Sequence, residues 1–161
     1  MNRTLAISNR QRAVKLDTQL LRHLTESLLT GLLALKEFDL ALCIVRAPEM
    51  ARVNETFLQH KGSTDVITFD YTDDSSRRPE FLHGELFICI DDAKKQAREF
   101  GTTGQNELAR YVIHGVLHLR GFDDLNPAAR RKMKREENRL LQETGRLFPL
   151  SKLDAGRKLA A

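Results

Sequence analysis

The run HGVLHLRGFDD, from His114 to Asp124, constrains this chain more than any other stretch. Histidines four residues apart on a helix leave from the same face, one turn above the other. Two imidazoles so placed can bind one small cation, which is the physical basis of the His-x-x-x-His half-site. Gly121 follows His118 by three residues and Asp124 follows by six. Glycine takes a positive φ at little steric cost, so Gly121 is expected to turn the chain back at the helix end. Asp124 would then reach the two imidazoles as a third ligand and leave a fourth position open, as in catalytic zinc sites. The spacing is that of metzincin peptidases with two changes. Asp124 replaces a histidine, and Gly115 stands where zinc peptidases carry the glutamate base. Without that side chain the half-site binds metal but lacks the peptidase base, and no catalytic residue is assigned from spacing. The bland reading is two histidines sharing a face by chance, with Asp123 and Asp124 in a solvated turn. Against it, Leu108, Tyr111, Val112, Val116, Leu117 and Leu119 make the helix apolar on most sides. Buried imidazoles without partners are costly, and a shared metal satisfies both.

A chain of 161 residues, 41% hydrophobic and 30% charged, fits a single globular domain spanning 1–161, with a frayed tail after about residue 149. No apolar run is long enough to span a membrane, and the N-terminus lacks a secretory hydrophobic stretch, so the expected location is cytoplasmic. Cys43 and Cys89 lie in apolar runs and read as small buried hydrophobes rather than a disulfide or metal pair. The net charge of +4 permits a polyanionic partner without demanding one. Its densest source is Arg130, Arg131, Lys132, Lys134, Arg135 and Arg139, followed by Arg146, Lys152, Arg157 and Lys158. Glu136, Glu137 and Glu143 interleave with them, so a solvated helix face and a polyanion contact both remain open.

Hydrophobic periodicity predicts strands at Leu5–Ser8, Phe38–Val45, Asp65–Tyr71 and Leu86–Ile90. It predicts helices over Leu16–Leu35, capped near Asp17, then after Pro48 to before Gly62, over Asp92–Phe100, and over Asn106–Leu119. A last helix runs from Asn126 and Pro127 towards Thr144. Thr72–Pro79 is a polar breaker cluster and reads as a mobile loop. The order gives an α+β fold with a small four-stranded mixed sheet packed by about five helices, the metal helix lying in the C-terminal half.

Three blocks resemble the YbeY family, bacterial zinc-dependent endoribonucleases of ribosomal RNA maturation. HGVLHLRGFDD is similar to that family's HGxLHLxGYDH, with Phe122 for tyrosine and Asp124 for the last histidine. VNETFLQHKGSTDVITF, from Val53 to Phe69, is similar to the family's asparagine-bearing helix and following strand, and HGELFICI, from His83 to Ile90, to its third block. The likeness runs from about Asn2 to about Leu147. It implies a single-strand-directed, zinc-dependent endoribonuclease with one Zn2+ on His114, His118 and Asp124. It also implies an rRNA precursor as substrate, with a ribosomal subunit or assembly factors as partners, and neither DNA nor membrane. Lys61, Thr64 and Asp65, in the second block, are the implied substrate contacts. Leu58 stands where the family typically has an arginine, Ser63 replaces a proline and Glu85 an aspartate. Glu85 reads either as a carboxylate helper or as a strand-edge surface residue. The rival readings are a non-catalytic RNA-binding or assembly factor with structural zinc, and a metal hydrolase of another ester or amide.

Overall fold

The computed structural model describes residues 2–156. Four strands, β1 (Arg3–Asn9), β2 (Glu37–Val45), β3 (Val66–Asp70) and β4 (Phe81–Cys89), form one sheet in the order β1-β2-β4-β3. The pairs β1/β2 and β2/β4 are parallel, and β3 runs antiparallel on the edge of β4. Five α-helices pack on it: α1 (Thr18–Ser27), α2 (Ala47–Leu58), α3 (Ile90–Phe100), α4 (Gly104–Leu119) and α5 (Pro127–Leu147). This is the mixed α+β sheet that the sequence pattern predicts.

The period-two alternation of strands separates two faces. Leu40, Leu42, Ile44, Leu82, Leu86 and Ile88 face a large core completed by α1, α4 and α5. Cys43, Val45, Ile67, Phe87 and Cys89 face a smaller cluster under Met50 and Val53 of α2. Both cysteines are buried and free, as their apolar surroundings imply.

Several boundaries differ from expectation for physical reasons. Strand β4 starts five residues early, because at Phe81–Glu85 only one face is fully buried, and Leu82 and Gly84 alternate with the half-buried Phe81, His83 and Glu85 instead of reading as apolar throughout. Ile90 belongs to α3, not to the strand. The first helix is shorter than Leu16–Leu35. Asp17 caps it by accepting from Leu20 N at 2.9 Å, while Leu16 is drawn into a bridge with Asp154. Beyond Ser27 the helix widens into a π turn, Leu28–Leu32, with Leu33 N donating to Leu28 O at 2.9 Å, and Ala34 then takes φ 52°. The segment after Pro149, expected to fray, forms a 3-10 helix, Leu150–Leu153, with Leu153 fully buried. Two backbone bonds hold it, Asp17 N to Leu153 O at 2.8 Å and Ala155 N to Lys15 O at 2.7 Å. Arg157, Lys158 and the rest of the tail lie outside the described residues. The Thr72–Pro79 loop is bonded internally: Asp73 accepts from Ser76 N at 2.9 Å and Ser75 Oγ at 2.7 Å, and Arg77 pairs with Asp70 at 3.1 Å. Among the described residues no helix is long and apolar enough to cross a membrane.

Candidate metal centre

Helix α4 opens on Thr103, whose hydroxyl accepts from Asn106 N at 3.1 Å, a side-chain cap that satisfies one orphan donor. Ten of its 16 residues are buried, so packing against the sheet and its neighbours fixes the helix's rotation. Gly115 lies in close contact with the sheet. A Cβ there would lie 2.6 Å from Cδ1 and 2.8 Å from Cδ2 of Leu86, in β4. The position that carries the base in zinc peptidases is therefore pressed onto the sheet, and a glutamate does not fit it.

With Gly115 inward, His114 and His118 emerge half-buried at the C-terminal half of the helix. Their Nε2 atoms face each other at 3.1 Å. Neighbouring ligands on a tetrahedral zinc with Zn–N near 2.0–2.1 Å stand about 3.3 Å apart, so the pair is preformed for one ion. The helix then ends in a Schellman turn: Phe122 N donates to Leu117 O and Gly121 N to His118 O, both at 3.0 Å. Gly121 has φ +96°, the conformation expected of it. The turn delivers Asp124, and ligand atoms of His114, His118 and Asp124 lie within 4.8 Å of one another. This group could hold a metal. Asp123 instead turns away and accepts from Leu125 N at 3.1 Å.

Glu137 of α5 completes the centre, and no local motif announces it. Its Oε2 lies 2.9 Å from Nδ1 of His114, and its Oε1 accepts from Arg110 at 2.7 Å. Burial pushes the Glu137 pKa up, but the bonds from His114 and Arg110 outweigh it and the net direction is down. An ionised carboxylate only accepts, so His114 Nδ1 carries a proton and donates it to Glu137, which leaves Nε2 as the ring nitrogen that can take a metal. Burial pulls His114 down while Glu137 pulls it up further, and the net shift is upward. Burial and the charge of His114 lower His118. Orientation of a ligand imidazole by a carboxylate is the usual outer support of a metal site. Glu137 lies on the buried stripe Met133, Glu137, Leu140, Leu141, Thr144 of α5. A carboxylate on an apolar stripe is the one signal of it that the sequence carries.

The centre opens into a cleft of about 650 Å³. Tyr111 and His114 of α4 line it, with Phe100 of α3 and Arg130, Arg131, Lys134 and Glu137 of α5. Asp65 lines it too, its Oδ1 accepting from Val66 N at 2.8 Å and Thr64 Oγ1 at 3.3 Å. Thr64 thus meets the cleft through Asp65. Lys61 is an exposed residue of the preceding loop and is not on the cleft wall. Leu58, in the last turn of α2, is 42% exposed and belongs to neither cleft nor core. Glu85 lies on an inner strand, not an edge, and on the face opposite Leu86. There it accepts from Tyr71 OH at 3.0 Å and contacts Cys43 Sγ at 3.5 Å, so it is not a helper at the metal centre.

Fold and centre together define a small α+β protein that offers a His-His-carboxylate donor set at the end of a buried helix. The chain belongs to the YbeY family: the family model described as "Endoribonuclease YbeY" matches residues 6–145. A relative of that name from Parabacteroides distasonis is 39% identical over 106 residues, covering 66% of this chain and 71% of the relative. Another, from Chlorobium luteolum, is 36% identical over 129 residues, covering 80% and 90%. A Thermotoga maritima protein solved in solution superposes with a TM-score of 0.66 at 25% identity, over 96% of this chain and 100% of that one.

Proposed function

We propose that this protein is a metal-dependent endoribonuclease that cuts single-stranded regions of ribosomal RNA precursors in the cytoplasm. The observation that carries this reading is the donor group His114, His118 and Asp124, of which His114 and Asp124 line a cleft together with Arg130, Arg131 and Lys134. The proposed ion is one Zn2+ per chain, since two imidazoles and a carboxylate are a common catalytic zinc set. When bound, such a cation supplies Lewis acidity towards a phosphoryl oxygen. Glu137 holds the His114 ring with Nε2 turned to the site, and Arg110 keeps Glu137 ionised. The basic wall of α5 attracts the polyanion. Asp65 and the loop bearing Lys61 and Thr64 meet the strand as it enters. Ribosomal subunits and their assembly factors are the proposed partners, with no role for DNA.

A structural role for the metal fits less well, because structural zinc sites are closed by four protein ligands and this group offers three beside a cleft. The test is internal cleavage of a single-stranded and a fully paired RNA by one preparation of known zinc content. Cleavage of the single strand, abolished by chelator and restored by Zn2+, is the expected result. Fully metallated protein that binds RNA and never cuts it would establish the assembly-factor reading instead.

A further inference from the structure

We propose that the cleft is a built track for single-stranded RNA, in which Arg130, Arg131 and Lys134 hold the phosphates and Phe100 stacks a base. The proposal rests on the nuclease reading and assigns that site its strand-holding residues.

Phe100 is 68% exposed at the end of α3 and lines the same cleft as His114. A single exposed apolar side chain ordinarily means nothing. The backbone that carries this one is held in place. Gly101 ends α3 with φ +67°, Thr102 N returns to Ala97 O at 2.9 Å, and Thr102 Oγ1 donates to the buried Glu107 of α4 at 2.7 Å. The backbone after Phe100 is therefore pinned to the helix that carries the histidines, and the ring is presented to the cleft from a fixed base. A backbone fixed before binding leaves less entropy to lose when a base stacks on the ring it carries.

On the other wall, Arg130, Arg131 and Lys134 are spaced three and four apart and form one surface patch of α5. Among the described residues Arg130 and Arg131 make no ion pair with a carboxylate. Lys134 reaches only Glu137, at 3.9 Å, and Glu137 is already held by Arg110 and His114. Arg130 donates to the backbone carbonyl of Asp124 at 3.2 Å, a neutral acceptor that leaves its charge uncompensated, so the charge of Arg130 and Arg131 remains available to a ligand. Helix α4 packs against both α3 and α5, so the aromatic ring and the cations flank the histidines from different elements. A polyanion that also presents an unstacked planar group satisfies both walls. A duplex keeps its bases stacked inside and offers only the phosphates.

The experiment measures affinity of the zinc-loaded protein for a fluorescent RNA single strand, an abasic strand of equal length and an RNA duplex, at several salt concentrations. Phe100→Ala should weaken single-strand binding at least about fivefold, Phe100→Trp should restore it, and binding of the abasic strand and the duplex should not change. The double variant Arg131→Gln, Lys134→Gln should weaken all three ligands. It should also flatten the single-strand salt slope by about 0.7 for each phosphate that is no longer neutralised. The substituted side chains are exposed or at the cleft, and unchanged zinc content and circular dichroism verify that the variants fold. Unaltered single-strand affinity in Phe100→Ala, equal weakening on the abasic strand, or an unaltered salt slope in the double variant overturns the track. If these occur while the wild type still cleaves RNA with zinc, only the track fails. A wild type that neither binds nor cleaves RNA removes the nuclease reading as well.

Discussion

Helices α4 and α5 are built from the same devices and put to opposite uses. Both start on a side-chain cap, Thr103 accepting from Asn106 N and Asn126 accepting from Ala129 N at 2.8 Å. Helix α4 then buries ten of its 16 residues, whereas α5 buries five of 21. The two histidine donors come from the wedged helix, whose rotation the core dictates. The cations come from the outer helix, where one stripe is constrained and the rest faces water. Precision is placed where packing supplies it, and charge where solvation makes it cheap. The largest effect that could break this division is on the metal. His118→Ala leaves two protein donors, so elemental analysis should find bound zinc almost wholly lost. Chelation of the wild type should lower its melting temperature, because the ion ties α4 to the turn after Gly121. Full zinc retention in His118→Ala would show that α4 does not carry the site.

A glycine in α4 sharpens the contrast. Gly115→Ala gains about 1 kcal/mol of helix propensity. Its new methyl, however, would overlap Leu86, a side chain with no exposed surface and its Cγ only 3.2 Å away. Overpacking of a close-packed core costs about 1–3 kcal/mol, so the sum is destabilising by up to about 2 kcal/mol. Urea denaturation of the chelated protein isolates this packing effect from metal binding. A midpoint equal to or above wild type would mean that α4 can slide on the sheet, and that the histidines are less rigidly placed than their geometry indicates.

Glu137 is the one residue where α5 takes part in the precision. Glu137→Gln keeps the shape but removes the charge that orients His114. Losing an outer carboxylate partner typically weakens a metal site about 10–100-fold. Competition with a chromophoric chelator should show a loss in this range, with secondary structure intact. An unchanged zinc affinity would reduce Glu137 to a tie between α4 and α5.

The metal helix is legible because its signals are local: an apolar surround, the four-residue histidine spacing, and a glycine where the chain must turn. Periodicity puts its start two residues late, at Asn106 instead of Gly104. Glu137 escapes notice for the opposite reason. It sits among nine other charged residues of α5 and reads as one more solvated acid. Only its phase with Met133, Leu140 and Leu141 betrays that it points inward. The docked segment Leu150–Leu153 leaves still less trace, since its partners, Lys15 to Asp17, lie at the other end of the chain. The edge reading of Glu85 fails because strand order, unlike strand existence, depends on pairings far apart in sequence.

The smallest expected effect lies in α5 itself and has the opposite sign to that of Gly115→Ala. Gly145 is within the last turns of α5, on the side towards Leu150. A Cβ there would meet Leu150 Cδ1 at 3.7 Å, an ordinary van der Waals contact. Nothing has to move, so the methyl adds a little packing against the 3-10 segment. The substitution also removes the backbone entropy that glycine loses on entering a helix. Gly145→Ala should therefore stabilise the protein by about 0.5–1 kcal/mol, read as a higher urea midpoint with an unchanged slope. Because Gly115 and Gly145 lie on different helices without a shared neighbour, the double variant should show the sum of the two single effects. Destabilisation by Gly145→Ala would mean that the contact with Leu150 is already at its limit. The outer helix would then be as tightly specified at its end as the inner one is at its centre.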